Sequence, residues 1–81
     1  MNVRVVHFAL MRELCDCDAE LLSIPAGANI LEAWRGLCKL HAGLRDLPYD
    51  PRPAVDRRFA SWDAPLVEGQ ELCFLLPTSG G

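Results

Sequence analysis

The chain has 81 residues, 51% of them apolar and 23% charged, enough for one small hydrophobic core and too short for a second. A formal charge of −3, with basic residues dispersed apart from Arg57-Arg58, argues against nucleic acid as a partner. No run approaches the about 20 apolar residues that cross a bilayer, and Arg4, His7, Arg12 and Glu13 break up any secretory signal, so a cytoplasmic protein with no membrane partner is expected.

Residues 2–9 are rich in β-branched and aromatic side chains and predict a first strand; a second apolar run, 19–24, ends at Pro25-Ala26-Gly27, so the two suggest an N-terminal hairpin. Asn29, followed three residues later by Glu32, has the form of a capping box. From there Ile30, Leu31, Trp34, Leu37, Cys38, His41 and Leu44 recur at helical spacing, which predicts a helix of about four turns with Gly43 near its C-terminal cap. Pro48, Pro51 and Pro53 exclude a continuous helix or a central strand between 46 and 53. Residues 54–56 and 59–62 are short strand candidates, and Glu68-Gly69 turns the chain into a last strand at 71–76. The order implies a single α+β domain over 1–81: a mixed sheet of about five strands packed on one main helix, as in the β-grasp, or ubiquitin-like, arrangement.

The four cysteines, Cys15, Cys17, Cys38 and Cys73, are not needed as staples at this apolar content. Cys15-x-Cys17 lacks zinc-ligand spacing, and His7 and His41 fall on predicted regular elements, so no metal site is expected and both cysteines read as inert thiols. Trp34 and Trp62 read as packing residues. Arg12, Arg57 and Arg58 are candidates for pairing with an acidic partner, against the plainer role of keeping a small domain soluble.

After Pro77 regular structure should stop, leaving Thr78-Ser79-Gly80-Gly81 as a tail. Two residues without Cβ can thread a narrow channel and deliver the Gly81 carboxylate into a partner's active site. A carboxylate is a poor electrophile, so acyl chemistry there needs prior activation, with an acyl adenylate the natural form.

Two blocks give the chain a family resemblance. Val6-His7-Phe8-Ala9-Leu10-Met11-Arg12-Glu13-Leu14 is similar to the first strand of the MoaD and thiamine-pathway sulfur carriers, in which an aromatic and Ala precede an Arg-Glu pair. Ala54-Val55-Asp56, Asp63-Ala64-Pro65-Leu66, Glu68-Gly69-Gln70-Glu71 and Phe74 through Gly81 form the second and more specific block. The whole resembles the small subunit of molybdopterin synthase, departing from its pattern at Asp56, where Asn is usual, at Gln70, where Asp is common, and at Leu76-Pro77, where two prolines often stand.

The resemblance implies that an ATP-dependent adenylating enzyme activates Gly81, and that a sulfur donor system converts it to a thiocarboxylate. The large synthase subunit, which holds the catalytic side chains of a heterotetramer, then uses that sulfur to convert cyclic pyranopterin monophosphate to the molybdopterin dithiolene. Thr78, Ser79 and Gly80 thread the tail, and the chain itself binds no cofactor. Phe8, Phe59 and Leu75 match an apolar patch that docks onto both partners; independently, Phe74 and Leu75 cannot both face the core of one sheet. Competing readings are the thiamine-pathway carrier, a ubiquitin-like modifier forming isopeptide bonds, and a pure binding module.

Overall fold

A computed structural model describes residues 1–77, so the predicted tail residues Thr78, Ser79, Gly80 and Gly81 lie outside the described residues. The first strand, β1, is Asn2–Val6 and ends earlier than expected, because Ala9–Cys15 forms a helix, α1. Ala, Leu, Met, Arg and Glu are strong helix formers, and Met11 and Cys15, one turn apart, bury themselves beneath the segment. The second strand, β2 (Ala19–Ser23), pairs antiparallel with β1, Val5 opposite Glu20, so the expected pairing is present but the connection is helical.

The capping box at Asn29 is formed in both directions: the Glu32 backbone N–H donates to the Asn29 side chain at 2.9 Å, and the Asn29 N–H donates to the Glu32 carboxylate at 3.2 Å. It opens α2, Ile30–Leu40, whose buried stripe includes Ile30, Ala33 and Leu37. The helix is about a turn shorter than the apolar spacing implied, and its C-cap is His41, not Gly43. His41 turns extended, its N–H still donating to the Leu37 carbonyl, and Ala42–Asp46 continues as a 3-10 helix that brings Leu44 back into the core.

Strand β3 (Arg52–Val55) begins two residues earlier than predicted and includes Pro53. It is tolerated because β3 lies beside the two-residue strand β4 (Arg58–Phe59), and the Pro53 carbonyl accepts from Ala60 on that side. The N–H that proline lacks would face the same way, so the ladder to the next strand is untouched. Residues 60–62 do not extend β4. Asp56 and Arg57, at φ of 49° and 70°, form the tight hairpin turn between β3 and β4, the left-handed geometry that matches strand twist. Gly69, at φ 83°, turns the chain into β5, Glu71–Leu75; Leu76 lies beyond its end.

The sheet order is β2-β1-β5-β3-β4, with β1 and β5 parallel at its centre and the other pairs antiparallel. Val3, Val5, Leu22, Leu72 and Phe74 point from one face into the core against Ile30, Ala33 and Leu37 of α2. Trp34 and Trp62 pack on Phe74, with ring centroids 4.7 and 5.7 Å away, which gives both the packing role expected of them. The mixed five-strand sheet on a main helix is the β-grasp arrangement, with α1 as an addition the sequence pattern concealed.

Candidate functional site

Among the described residues, no helix covers the second face of the sheet. Strand alternation places Arg4 and Val6 of β1, Glu71, Cys73 and Leu75 of β5, and Ala54 of β3 on it, in register: Arg4 is opposite Glu71, Val6 opposite Cys73, and Cys73 opposite Ala54. Phe8, just past β1, and Phe59, paired with Ala54 across the hairpin, stand at either side. Together they line a shallow groove of about 460 Å³, with Arg57 at its rim.

Phe8 and Phe59 are 54% and 59% exposed, which is unusual for two large apolar side chains that line one groove. The sequence-based trio Phe8, Phe59 and Leu75 is thus gathered on one surface, and the alternation argument holds: Phe74 is buried and Leu75 lies on the outer face. The Arg52 guanidinium sits 3.9 Å from the Phe59 ring centroid and fixes one face of that ring, leaving the other for contact.

A second groove begins at Phe8 and Leu75 and runs past Leu10 and Tyr49 to Leu76 and Pro77, where the chain leaves β5. Leu10 and Tyr49 are exposed apolar members that sequence reasoning missed. Leu10 was hidden by the unrecognised helix, and Tyr49 sits in the proline-rich connection, where no period assigns a face. Arg4 and Glu71 were within reach of strand alternation, once the strands were paired.

Of the candidate partner-binding arginines, Arg57 lines the groove, Arg58 lies exposed on β4, and Arg12 stands 3.6 Å from Asp18 in a solvent-exposed ion pair of little energetic weight. Asp56 locks the hairpin turn to the start of β5: its N–H donates to the Glu71 carbonyl at 2.9 Å, and its carboxylate accepts from the Glu71 N–H at 3.0 Å. Gln70 Nε2 donates to the same carboxylate at 3.5 Å, so two departures from the family pattern, Asp56 and Gln70, meet with amide and acid exchanged.

Under the helices, at the end of β1 and the start of β2, lies a different cluster. His7 Nε2 is 2.7 Å from Glu20 Oε2, His41 Nε2 is 2.9 Å from the same oxygen, and Cys17 Sγ–H donates to it at 3.3 Å. His7 Nδ1 is buried without a partner among the described residues, so the ring is oriented through Nε2 alone. Burial raises the Glu20 pKa, but the hydrogen bonds from His41, His7 and Cys17 outweigh it, and the net direction is downward. All four cysteines are free thiols. Burial, with Glu20 nearby, pushes Cys15 up to about 12, and Cys17 is raised by burial and by Glu20, so both are poor nucleophiles. None of the described helices is long and apolar enough to cross a membrane.

No family model matches the chain. It is 28% identical over 83 residues to the human molybdopterin synthase sulfur carrier subunit, covering 99% of this chain and 94% of that protein. Among solved structures it resembles a putative molybdopterin converting factor, subunit 1, from Pyrococcus furiosus, with a TM-score of 0.89 at 27% identity, over 96% of this chain and 99% of that one. The small archaeal modifier protein SAMP1 from Haloferax volcanii shares the fold, with a TM-score of 0.89 at 19% identity over the whole of both chains. With likeness running the full length of the sulfur carrier subunit, and with the sheet, helix and exposed aromatic face in place, the chain has the ubiquitin-like β-grasp fold and is similar throughout to MoaD-type sulfur carriers.

Proposed function

We propose that the chain is the sulfur carrier subunit of a molybdopterin synthase and that Gly81 is its working residue. The observation that carries this reading is the uncovered apolar face of Phe8, Phe59 and Leu75, which leads by a continuous groove to Pro77, four residues before Gly81. An exposed face that costs solubility, placed beside the point where the chain departs toward a Gly-Gly terminus, suits a partner that grips the sheet while receiving the tail. The human sulfur carrier subunit, similar over 99% of the chain, supports the pathway.

The chemistry follows from the carboxylate. An adenylating enzyme joins Gly81 to AMP with release of pyrophosphate, which turns a resonance-stabilised anion into an acyl group with a good leaving group. A sulfur donor system displaces AMP and leaves a thiocarboxylate. Its sulfur is the more nucleophilic atom and forms a C–S bond at a carbon of the pterin precursor, cyclic pyranopterin monophosphate, held by the large subunit, as a C–O bond at that carbon breaks and the oxygen leaves; hydrolysis of the acyl–sulfur bond then leaves sulfur on the acceptor and restores the carboxylate, and two such transfers complete the dithiolene. Thr78, Ser79 and Gly80 are the segment that threads the partner's channel. This chain contributes sulfur and docking surface, its partner contributes catalysis, and ATP is bound by the activating enzyme. The ATP-dependent step sets the carrier in the cytoplasm.

The deciding experiment incubates the full chain with an adenylating enzyme, ATP and a sulfur source and measures its intact mass. Replacement of one terminal oxygen by sulfur is expected, and its absence under conditions where Gly81 is adenylated refutes the reading. The archaeal modifier with the same fold motivates a second reading, a protein modifier. That reading requires covalent adducts on lysines of other proteins instead of a thiocarboxylate that is consumed and recharged.

A further inference from the structure

We infer that His7, Cys17, Glu20 and His41 form a zinc site that staples the N-terminal β1–α1–β2 crossover to the end of α2. The four come from separate elements: His7 follows β1, Cys17 follows α1, Glu20 lies in β2 and His41 caps α2. His7, Cys17 and Glu20 place their donor atoms within 4.8 Å of one another, and His41 Nε2 approaches both oxygens of the same carboxylate, at 2.9 and 3.0 Å. His7 is buried, and the side chains of Glu20 and His41 are only 19% and 20% exposed, so the cluster is largely shielded from solvent.

Two imidazole nitrogens, a thiol sulfur and a carboxylate oxygen are the borderline donor set that Zn²⁺ takes in tetrahedral sites. Bond lengths of about 2.0 to 2.3 Å place tetrahedral ligand atoms about 3.3 to 3.6 Å apart. The contacts to Glu20 Oε2, at 2.7, 2.9 and 3.3 Å, need to open by about half an ångström on average, and His41, grouped with Glu20 but not with His7 and Cys17, swings toward them as the carboxylate leaves the middle of the cluster. In the metal-free chain the Glu20 carboxylate occupies the middle of the cluster and holds the other heads through hydrogen bonds. On binding, Cys17 releases its proton to solvent and its sulfur bonds the metal. The thiolate and carboxylate then balance the two charges of Zn²⁺ beside two neutral imidazoles, and a neutral site is the form that a largely shielded cluster tolerates.

The cysteine nearer the core, Cys15, also lies within 4.8 Å of Glu20 and His41, but it is the buried C-terminal residue of α1 and packs in the apolar cluster. It belongs to the wall of the site. The site lies on the helix-covered face, opposite the Phe8–Phe59 groove, so it is independent of the tail chemistry proposed above. Its effect is structural: it pins both ends of a crossover whose backbone includes non-glycine residues Ala9 and Asp16 at φ of 49° and 57°.

The test is titration of the reduced, metal-free full chain with CoCl2, followed by absorption, and then displacement by ZnCl2. One equivalent of tetrahedral Co²⁺ with a sulfur-to-metal charge-transfer band is expected, and Zn²⁺ at 100 times its Kd should lower the unfolding equilibrium constant about 100-fold. Cys17→Ser should abolish the band and His41→Gln should weaken binding at least about tenfold. Both positions are at the partly exposed rim, and far-ultraviolet circular dichroism of the metal-free variants checks the fold. Cys15→Ser should retain the band. A six-coordinate cobalt spectrum without the thiolate band, or a band that survives Cys17→Ser, overturns the site.

Discussion

Replacing Phe59 by Ala separates docking from folding. The ring is 59% exposed, and a phenylalanine offers on the order of 200 Å², so about 120 Å² remains for a partner to cover. At about 25 cal/mol per Å² that area is worth about 3 kcal/mol when fully buried, or a factor of about 150 in Kd; half coverage leaves a factor of about 12. The portion already buried, about 80 Å², together with the Arg52 contact at 3.9 Å, limits the folding cost to about 2 kcal/mol, an upper estimate because the unfolded chain also shields apolar surface. Calorimetric titration of a large synthase subunit with the wild-type and Phe59→Ala chains, beside urea melts of both, gives the two numbers independently. A folded Phe59→Ala chain that binds the large subunit within about threefold of wild type refutes the docking role, since even quarter coverage of the exposed ring exceeds that.

Phe74→Ala should do the reverse: the ring is buried between Trp34 and Trp62, so stability should fall by about 3 to 5 kcal/mol in a urea melt and remove much of the fold's margin. Asn29→Ala removes the side-chain half of the α2 capping box and should cost about 1 kcal/mol with the urea m-value unchanged. Glu20 sets an acid limit in the metal-free chain. Because its folded pKa is held below the ordinary 4.5, its contribution is fully present above that pH and is lost as pH falls through the lower folded value. Melting temperature should therefore drop over that acid range, and Glu20→Gln should flatten this part of the profile; an unchanged profile contradicts the assigned network.

Much of the fold was legible because its signals are local. Asn29 and Glu32 mark a helix start whatever surrounds them, Gly69 marks a turn, and the apolar run at 71–75 marks a strand. The failures were also local in origin. Phe8-Ala9 looked like the continuation of a β-rich run, yet the helix formers after it bury Met11 and Cys15 by turning immediately. Pro53 argued against a strand beside two neighbours, which holds only when the second neighbour is longer than β4.

By itself the sequence determined β2, the start of α2 and the last strand, and that one of Phe74 and Leu75 must face outward, while it concealed α1. Only the tertiary structure decided which residues share a site. Phe8, Phe59 and Leu75 meet because β1 and β5 run parallel at the sheet centre and β3 and β4 fold against them, and a one-residue change in any register would move a side chain to the other face. His7, Cys17, Glu20 and His41 have no common spacing. They converge because a helical crossover returns β2 beside β1 just where α2 ends, a long-range packing outcome that no local period encodes.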